Sequence, residues 1–428
     1  MIKDLPELIS ENIIDQETAQ RILKFYEKKN QKEPNRLVFI FGIIGAILIG
    51  LGIILIIAHN WDQCSKLTKS ILAFLPLVIG QVSCFYAFLK KKNNPVWTEA
   101  SSVFLFFSIG ATISMIAQIY HIDGDLPDFI LTWMVLALPQ IYILNSSSTS
   151  LFFITGITYY AAEIGYDHFP SQFPFSYLIL LLLIAPHYYQ LLKTAPNSNY
   201  ANLHSRLISL SLLITLGTFS KSNEELLFIS YISLLSAFFI FGHFPIFQHE
   251  KRKSLSFSSL GLFGIVITLL PLSFGETWRE IFKTISPWNQ LLATPEMITV
   301  LLTTSLSLYL VVRHDYIDKS SPLNFIKYIF LVFPLIFMSG LISPRVSEII
   351  VNLLLLSIGI QVIRHGIKEN HLGVVNYGLL IVTTLIIAKF FDSEMTFIFR
   401  GLLFVIIGLG FFCTNFMMIK KRKENEQS

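Results

Sequence analysis

The chain has 428 residues, 53% of them hydrophobic and only 14% charged, with a net charge of +4. Soluble domains carry about 25% charged residues, and the mean hydropathy here is +0.61, so a soluble globular protein is excluded and the lipid bilayer becomes the first partner to expect. The basic residues sit beside long apolar runs, which speaks against a nucleic-acid partner. Cys64, Cys84 and Cys413 are isolated from one another, and without CxxC spacing they predict neither a zinc site nor a redox pair.

Residues 1–36 form a hydrophilic head. The first apolar run follows too late, and is too long, for a signal peptide. Leu5, Leu8 and Ile9 give one short apolar stripe, Asn12 interrupts it, and Asp15 stands where the N-cap of a second helix is expected. Ala19, Ile22, Leu23 and Tyr26 continue at helical spacing. The head thus reads as a small cytoplasmic helical hairpin, either a membrane-proximal cap or a surface for a protein partner.

Apolar runs then recur to the end of the chain. Spanning a hydrocarbon core of about 30 Å takes about 20 residues. On that measure helices are expected near 37–58, 67–89, 100–121, 126–145, 149–165, 174–192, 205–220, 225–247, 254–274, 297–314, 324–341, 346–364, 372–390 and 395–418, the fifth and seventh being short. The fold class is therefore all-α, a polytopic transmembrane helical bundle of about 14 helices. Its divisions are the head (1–36), an N-terminal membrane region (37–145), the remaining helices (146–419) and a basic tail (420–428).

Charge tests this alternation. If the head is cytoplasmic, the same side receives the Lys90–Lys92 run, Lys193, Arg206, Lys251 to Lys253, Arg313, Lys319, Lys327, Arg364, Lys368 and the tail. The other side receives Lys66, Lys69, Lys221, Arg279, Lys283, Arg345, Lys389 and Arg400. Acids show no such bias, which is how the positive-inside rule behaves. Both termini are expected in the cytoplasm of a bacterial inner membrane.

Several features stand out from the apolar background. In the first run Gly42, Ala46 and Gly50 are spaced four apart, a pattern that lets helices approach closely. Between Glu276 and Glu296, Trp278, Ile281, Phe282, Ile285 and Trp288 share a helical face, which predicts an amphipathic helix on the outer leaflet. Polar groups within the runs, among them His187, Asn352 and Gln361, suit bonds between helices.

With AHNWDQ at 58–63 and AQIYHIDGDLPD at 117–128 both read, the chain resembles the DUF2157 family of bacterial predicted membrane proteins. The likeness runs through LPELISENIIDQETAQRIL, the first helix ending in Ala58, His59, Asn60 and Trp61, and the third ending in Gln118 to Asp125. Asn12 stands where the family's hairpin turn usually has Gly. The resemblance implies a bacterial inner-membrane protein and no particular activity.

Chemistry concentrates in two places. By the expected topology His59, Asn60, Trp61, Asp62, Gln118, His121, Asp123 and Asp125 gather on the outer side. Imidazoles and carboxylates at helix ends could recognise a small polar, amphipathic or lipid-linked molecule, or a divalent metal. The same residue types also serve plainly as helix ends, aromatic belt and turn. The second place is Lys389, Asp392 and Arg400, where a charge inside the last helix must snorkel, grip a headgroup phosphate or find a partner such as Asp392. No nucleotide, hydrolase or zinc motif occurs, and no cofactor is expected. The functional expectation is binding or transport through the outer cluster. A membrane-embedded transferase acting on a lipid-linked substrate, and a scaffold or sensor working through residues 1–36, remain alternatives.

Overall fold

The structure is a computed structural model. It describes residues 15–21, 61–167, 172–221, 223–244, 257–284, 291, 294–313 and 321–390, with short pieces at 397–398, 401–402, 404–405, 408–410 and 412. Two compact units divide the chain after Phe74.

In the first unit, Asp15 begins a helix over residues 16–21, its carboxylate accepting the Thr18 N–H at 3.3 Å. Thr18 holds the Asp15 carboxyl below the usual carboxylate range, chiefly through its side chain. The N-cap expected from sequence is thus in place. Trp61–Gln63 forms one 3-10 turn, and the Lys69 ammonium lies 5.5 Å from the Trp61 ring. Ser65 then caps helix α1, Lys66–Lys90, by accepting the Thr68 N–H at 3.2 Å. The glycine-spaced first run, 37–58, lies outside the described residues.

The second unit is helical throughout its described residues. After α1 come α2 (Pro95–Tyr120), α3 (Leu126–Leu144), α4 (Ser147–Ala162) and α5 (Phe175–Thr194). Next are α6 (Asn199–Leu216), α7 (Leu227–Phe241), α8 (Phe257–Leu269) and the short α9 (Gly275–Thr284). Helices α10 (Pro295–Arg313), α11 (Ile329–Ile342), α12 (Pro344–Lys368) and α13 (Leu372–Phe390) complete it. Among the described residues, nine helices are long and apolar enough to cross a membrane. The chain is a polytopic α-helical membrane protein. The run at 149–165 makes the 16-residue α4, which falls short of that length, and 254–274 makes the 13-residue α8, stopped near Pro271. Most of the last expected helix, 395–418, lies outside the described residues.

Local chemistry sets the boundaries. Asn94 caps α2 with Pro95 at its first position, Ser146 caps α4, and Ser198 caps α6. Pro76, Pro139, Pro186 and Pro334 sit inside helices, as neighbouring helices in a membrane bundle allow.

One core joins α2 to α5 around Phe106, Met134, Ile141, Phe153 and Tyr177. A larger one surrounds α7 and takes in α8, α10, α11, α12 and α13. The amphipathic α9 forms as expected, but its apolar face is covered by protein rather than by lipid. Trp278 is wholly buried, donates its indole N–H to the Leu272 carbonyl at 2.7 Å, and packs against Phe282 and Phe337. Ile285 and Trp288 lie outside the described residues.

Candidate functional site

The α2–α3 connection, 121–125, is built by its own polar groups. Helix α2 ends at His121, whose backbone turns left-handed (φ 51°). The Ile122 N–H then returns to the Ala117 carbonyl at 2.9 Å. Asp125 caps α3, its Oδ1 accepting the Asp128 N–H at 2.9 Å. Non-glycine residues seldom hold this backbone region, although His and Asn are among the more tolerant. The other described residues that do so are Asn145 and Asn370. Gln118, His121, Asp123 and Asp125 are exposed, and nothing lies within 4 Å of where a Cβ on Gly124 would be. Of the first-unit members of this set, Trp61 is half-buried and Asp62 exposed, while His59 and Asn60 lie outside the described residues. No group of three His, Cys, Asp or Glu close enough to hold a metal occurs among the described residues.

Lys389 has a partner that sequence proximity does not suggest. Its ammonium meets Glu348 Oε1 of α12 at 2.7 Å, and the two side chains are 10% and 16% exposed. The Phe274 ring lies 5.2 Å from the ammonium. Asn352, one turn after Glu348, donates from Nδ2 to the carbonyls of Ser273 (3.0 Å) and Glu348 (2.8 Å). A carboxylate on a neighbouring helix thus occupies the group expected to grip a headgroup. Asp392 and Arg400 lie outside the described residues.

A third polar cluster went unread in the sequence, apart from His187. Glu99 lies one turn into α2 and faces the start of α4. It accepts from the Ser146 hydroxyl (2.6 Å) and from the main-chain N–H groups of Ser147 (2.9 Å) and Ser148 (2.9 Å). A carboxylate set on the first amides of a helix is favoured by the helix dipole. The Ser148 hydroxyl bonds Tyr200 Oη at 2.8 Å, and Thr149 passes its proton to Ser102 at 2.7 Å. His204, wholly buried, bonds the Tyr200 carbonyl through Nδ1 at 2.8 Å and Ser150 through Nε2 at 2.9 Å. The carbonyl can only accept, so Nδ1 carries the proton and the Ser150 hydroxyl donates to Nε2. The His187 and His204 rings lie 5.9 Å apart. The sequence signals available were the NSSST run at 145–149, a cap pattern, and a Glu four residues after Pro95.

Comparison with known proteins places these features. Residues 6–150 match the model of a family described as "Predicted membrane protein (DUF2157)". That segment is similar to the DUF2157 family, and the match stops at residue 150 of 428. No curated protein and no solved structure matches the chain. The matched segment carries the whole α2–α3 connection and Glu99 with its serines. Lys389, Glu348, His187 and His204 lie beyond it.

Proposed function

We propose that this membrane protein binds, and moves, a lipid-linked, amphipathic or small polar molecule, which it recognises at the α2–α3 connection. The observation that carries this reading is the division of labour in that turn. Asp125 spends one carboxylate oxygen on the α3 cap, while Gln118, His121 and Asp123 stay exposed, with no side-chain hydrogen bond to any described residue. His121 takes the left-handed position although Gly124 stands three residues later. Unfavourable backbone held at an exposed polar turn is a common mark of a working site. The Lys and Arg distribution supports a bacterial inner membrane, with both termini cytoplasmic and this turn outside.

The test is native mass spectrometry of protein extracted with its own lipids, combined with metal analysis, on the wild type and on Asp123→Asn/Asp125→Asn. Asparagine caps helices as well as aspartate, so the variant removes charge and leaves α3 its cap. A stoichiometric lipid-linked or small polar ligand, present in the wild type and lost in the variant, is expected. A wild type that arrives bare, or a variant that keeps the ligand, rejects the reading and turns attention to a partner of residues 1–36.

A further inference from the structure

Polar side chains inside a membrane bundle are expected to bond between helices. His204 is fully used in this way, both of its nitrogens being bonded. His187 is not. Its side chain is 3% exposed, and Nε2 is buried with no hydrogen-bond partner among the described residues. Its surroundings are nonetheless fixed. The His204 ring of α6 lies 5.9 Å away, and the Tyr142 ring of α3 meets His187 edge-on at 6.3 Å. Glu99 of α2 is near enough for its charge to act on both imidazoles. Helix α4, packed beside α5, carries no titratable side chain from Ser147 to Thr158. The Tyr188 and Tyr200 hydroxyls pair with those of Ser205 and Ser148. Arg206 stands two residues from His204, about 200° round α6 and so on its far side. Lys193, near the end of α5, is exposed.

None of these groups is placed to pair with a protonated His187. Glu99 Oε1 already accepts from the Ser147 N–H, and Oε2 from the Ser146 hydroxyl and the Ser148 N–H. Its charge is set against the start of α4. His204 has its Nδ1 proton on the Tyr200 carbonyl and its Nε2 lone pair taken by Ser150. Tyr142 gives its hydroxyl proton to the Leu183 carbonyl, one turn before His187. The packed helices therefore hold a neutral ring, and an imidazolium there would be a buried charge without a hydrogen-bond partner, a costly arrangement. Even the neutral ring leaves a buried nitrogen unpaired, which is unfavourable, so packing alone does not account for an imidazole at this position. The helix is weak at the same point. Pro186 precedes His187 inside α5 and has no N–H, so the backbone ladder lacks a rung there. Beyond it, residues 187–194 form about two turns.

We propose that His187 is a proton-operated switch, in which a proton taken up by its imidazole releases residues 187–194 of α5 from α3 and α6. Imidazoles change charge between about pH 5 and pH 8. The released form binds a proton that the packed form excludes, so packing is lost as pH falls through that range. On the proposed topology this end of α5 faces the cytoplasm, which makes cytoplasmic acidification the signal. The switch lies at the ends of α2 and α3 opposite to their connection, and it is independent of recognition there.

The experiment is hydrogen exchange of the full-length protein in detergent at about pH 7.5 and about pH 5.5, either side of the ordinary imidazole range. Labelling times are scaled for the intrinsic pH dependence of amide exchange. In the wild type, the amides of residues 187–194 should exchange about tenfold faster at the lower pH after scaling, while those of residues 129–141 in α3 hold. His187→Gln carries no charge at either pH and should abolish the acceleration. His204→Gln offers a donor and an acceptor in place of the two His204 nitrogens and should retain it. Replacing a residue with only a packing role would raise exchange equally at both pH values, so the ratio between them is the diagnostic. A flat wild-type ratio, an acceleration that spreads through α3, or a ratio that His187→Gln keeps overturns the proposal. If His187→Gln does not fold, His187→Phe, an uncharged ring, is read in its place.

Discussion

Lys389 and Glu348 close an ion pair of 2.7 Å between α13 and α12, with both side chains largely shielded from solvent. A shielded pair is better evidence of specificity than of net stability, because desolvation offsets much of the attraction. Removing one partner is another matter, since it strands the other charge. Lys389→Met should destabilise the protein by about 3–5 kcal/mol, and adding Glu348→Gln should recover a large part of that loss. Unfolding in micelles across the double-mutant cycle measures the coupling. If the double variant is as unstable as the sum of the two single changes, the pair is not the source of the effect.

Glu99 gives a second prediction. Its two carboxylate oxygens receive the Ser146 hydroxyl and the first amides of α4. Glu99→Gln keeps the size but turns one oxygen into a donor that faces donors. It should cost about 1–3 kcal/mol, much as Glu99→Ala does, because buried donors lose their acceptor either way. Hydrogen exchange at the amides of Ser147 and Ser148 reads this directly. Unchanged exchange there would show that water replaces the carboxylate without loss.

The fold was legible in the sequence because length and apolarity suffice to mark helices that cross a bilayer. Each run from 67–89 through 372–390 coincides with a helix, and misjudged ends follow caps. Helix α2 starts at Pro95 rather than 100 because Asn94 caps it, and α6 starts at Asn199 rather than 205 because Ser198 does. The turn at Asp125 was legible too, being local. The partnerships were not. Glu348 is 41 positions from Lys389, and Glu99 is 47 from Ser146. Nothing in one sequence brings them together, so Lys389 read as half of a headgroup clamp with Arg400, and Asp392 as a partner for Arg400. The apolar face of α9 was correct as a pattern, but whether protein or lipid covers such a face is a tertiary question.

Close helix approach makes a third prediction, with its own control. A Cβ on Gly261 of α8 would fall 2.5 Å from the Leu235 carbonyl oxygen and 2.6 Å from the Phe239 nitrogen, both main-chain atoms of α7. Neither can move without the helix, so Gly261→Ala must push α7 and α8 apart. Overpacking of this kind costs about 1–3 kcal/mol. At Gly124 no atom lies within 4 Å and the backbone is not in the positive-φ region, so Gly124→Ala should be nearly neutral. Tm values in the same detergent compare the two, and equal shifts would contradict the packing argument.

Sidedness is the prediction on which the rest of the functional argument turns. Helix α2 has 26 residues, about 39 Å at 1.5 Å per residue, more than the roughly 30 Å a bilayer core requires. Its two ends should therefore emerge on opposite faces. Lys90, Lys91 and Lys92 precede it and Asp123 and Asp125 follow it, so the positive-inside rule puts the lysines in the cytoplasm. In a background with Cys64, Cys84 and Cys413 changed to Ser, Asp125→Cys should react with an impermeant maleimide on intact cells, and Lys91→Cys only after permeabilisation. The reverse pattern would keep α2 as a span but turn the His121 and Asp123 turn to the cytoplasm, where it would meet soluble rather than extracytoplasmic ligands. Labelling of both positions from one side would mean that α2 does not cross. The alternation of every helix after it, and with it the outward recognition site, would then have to be abandoned.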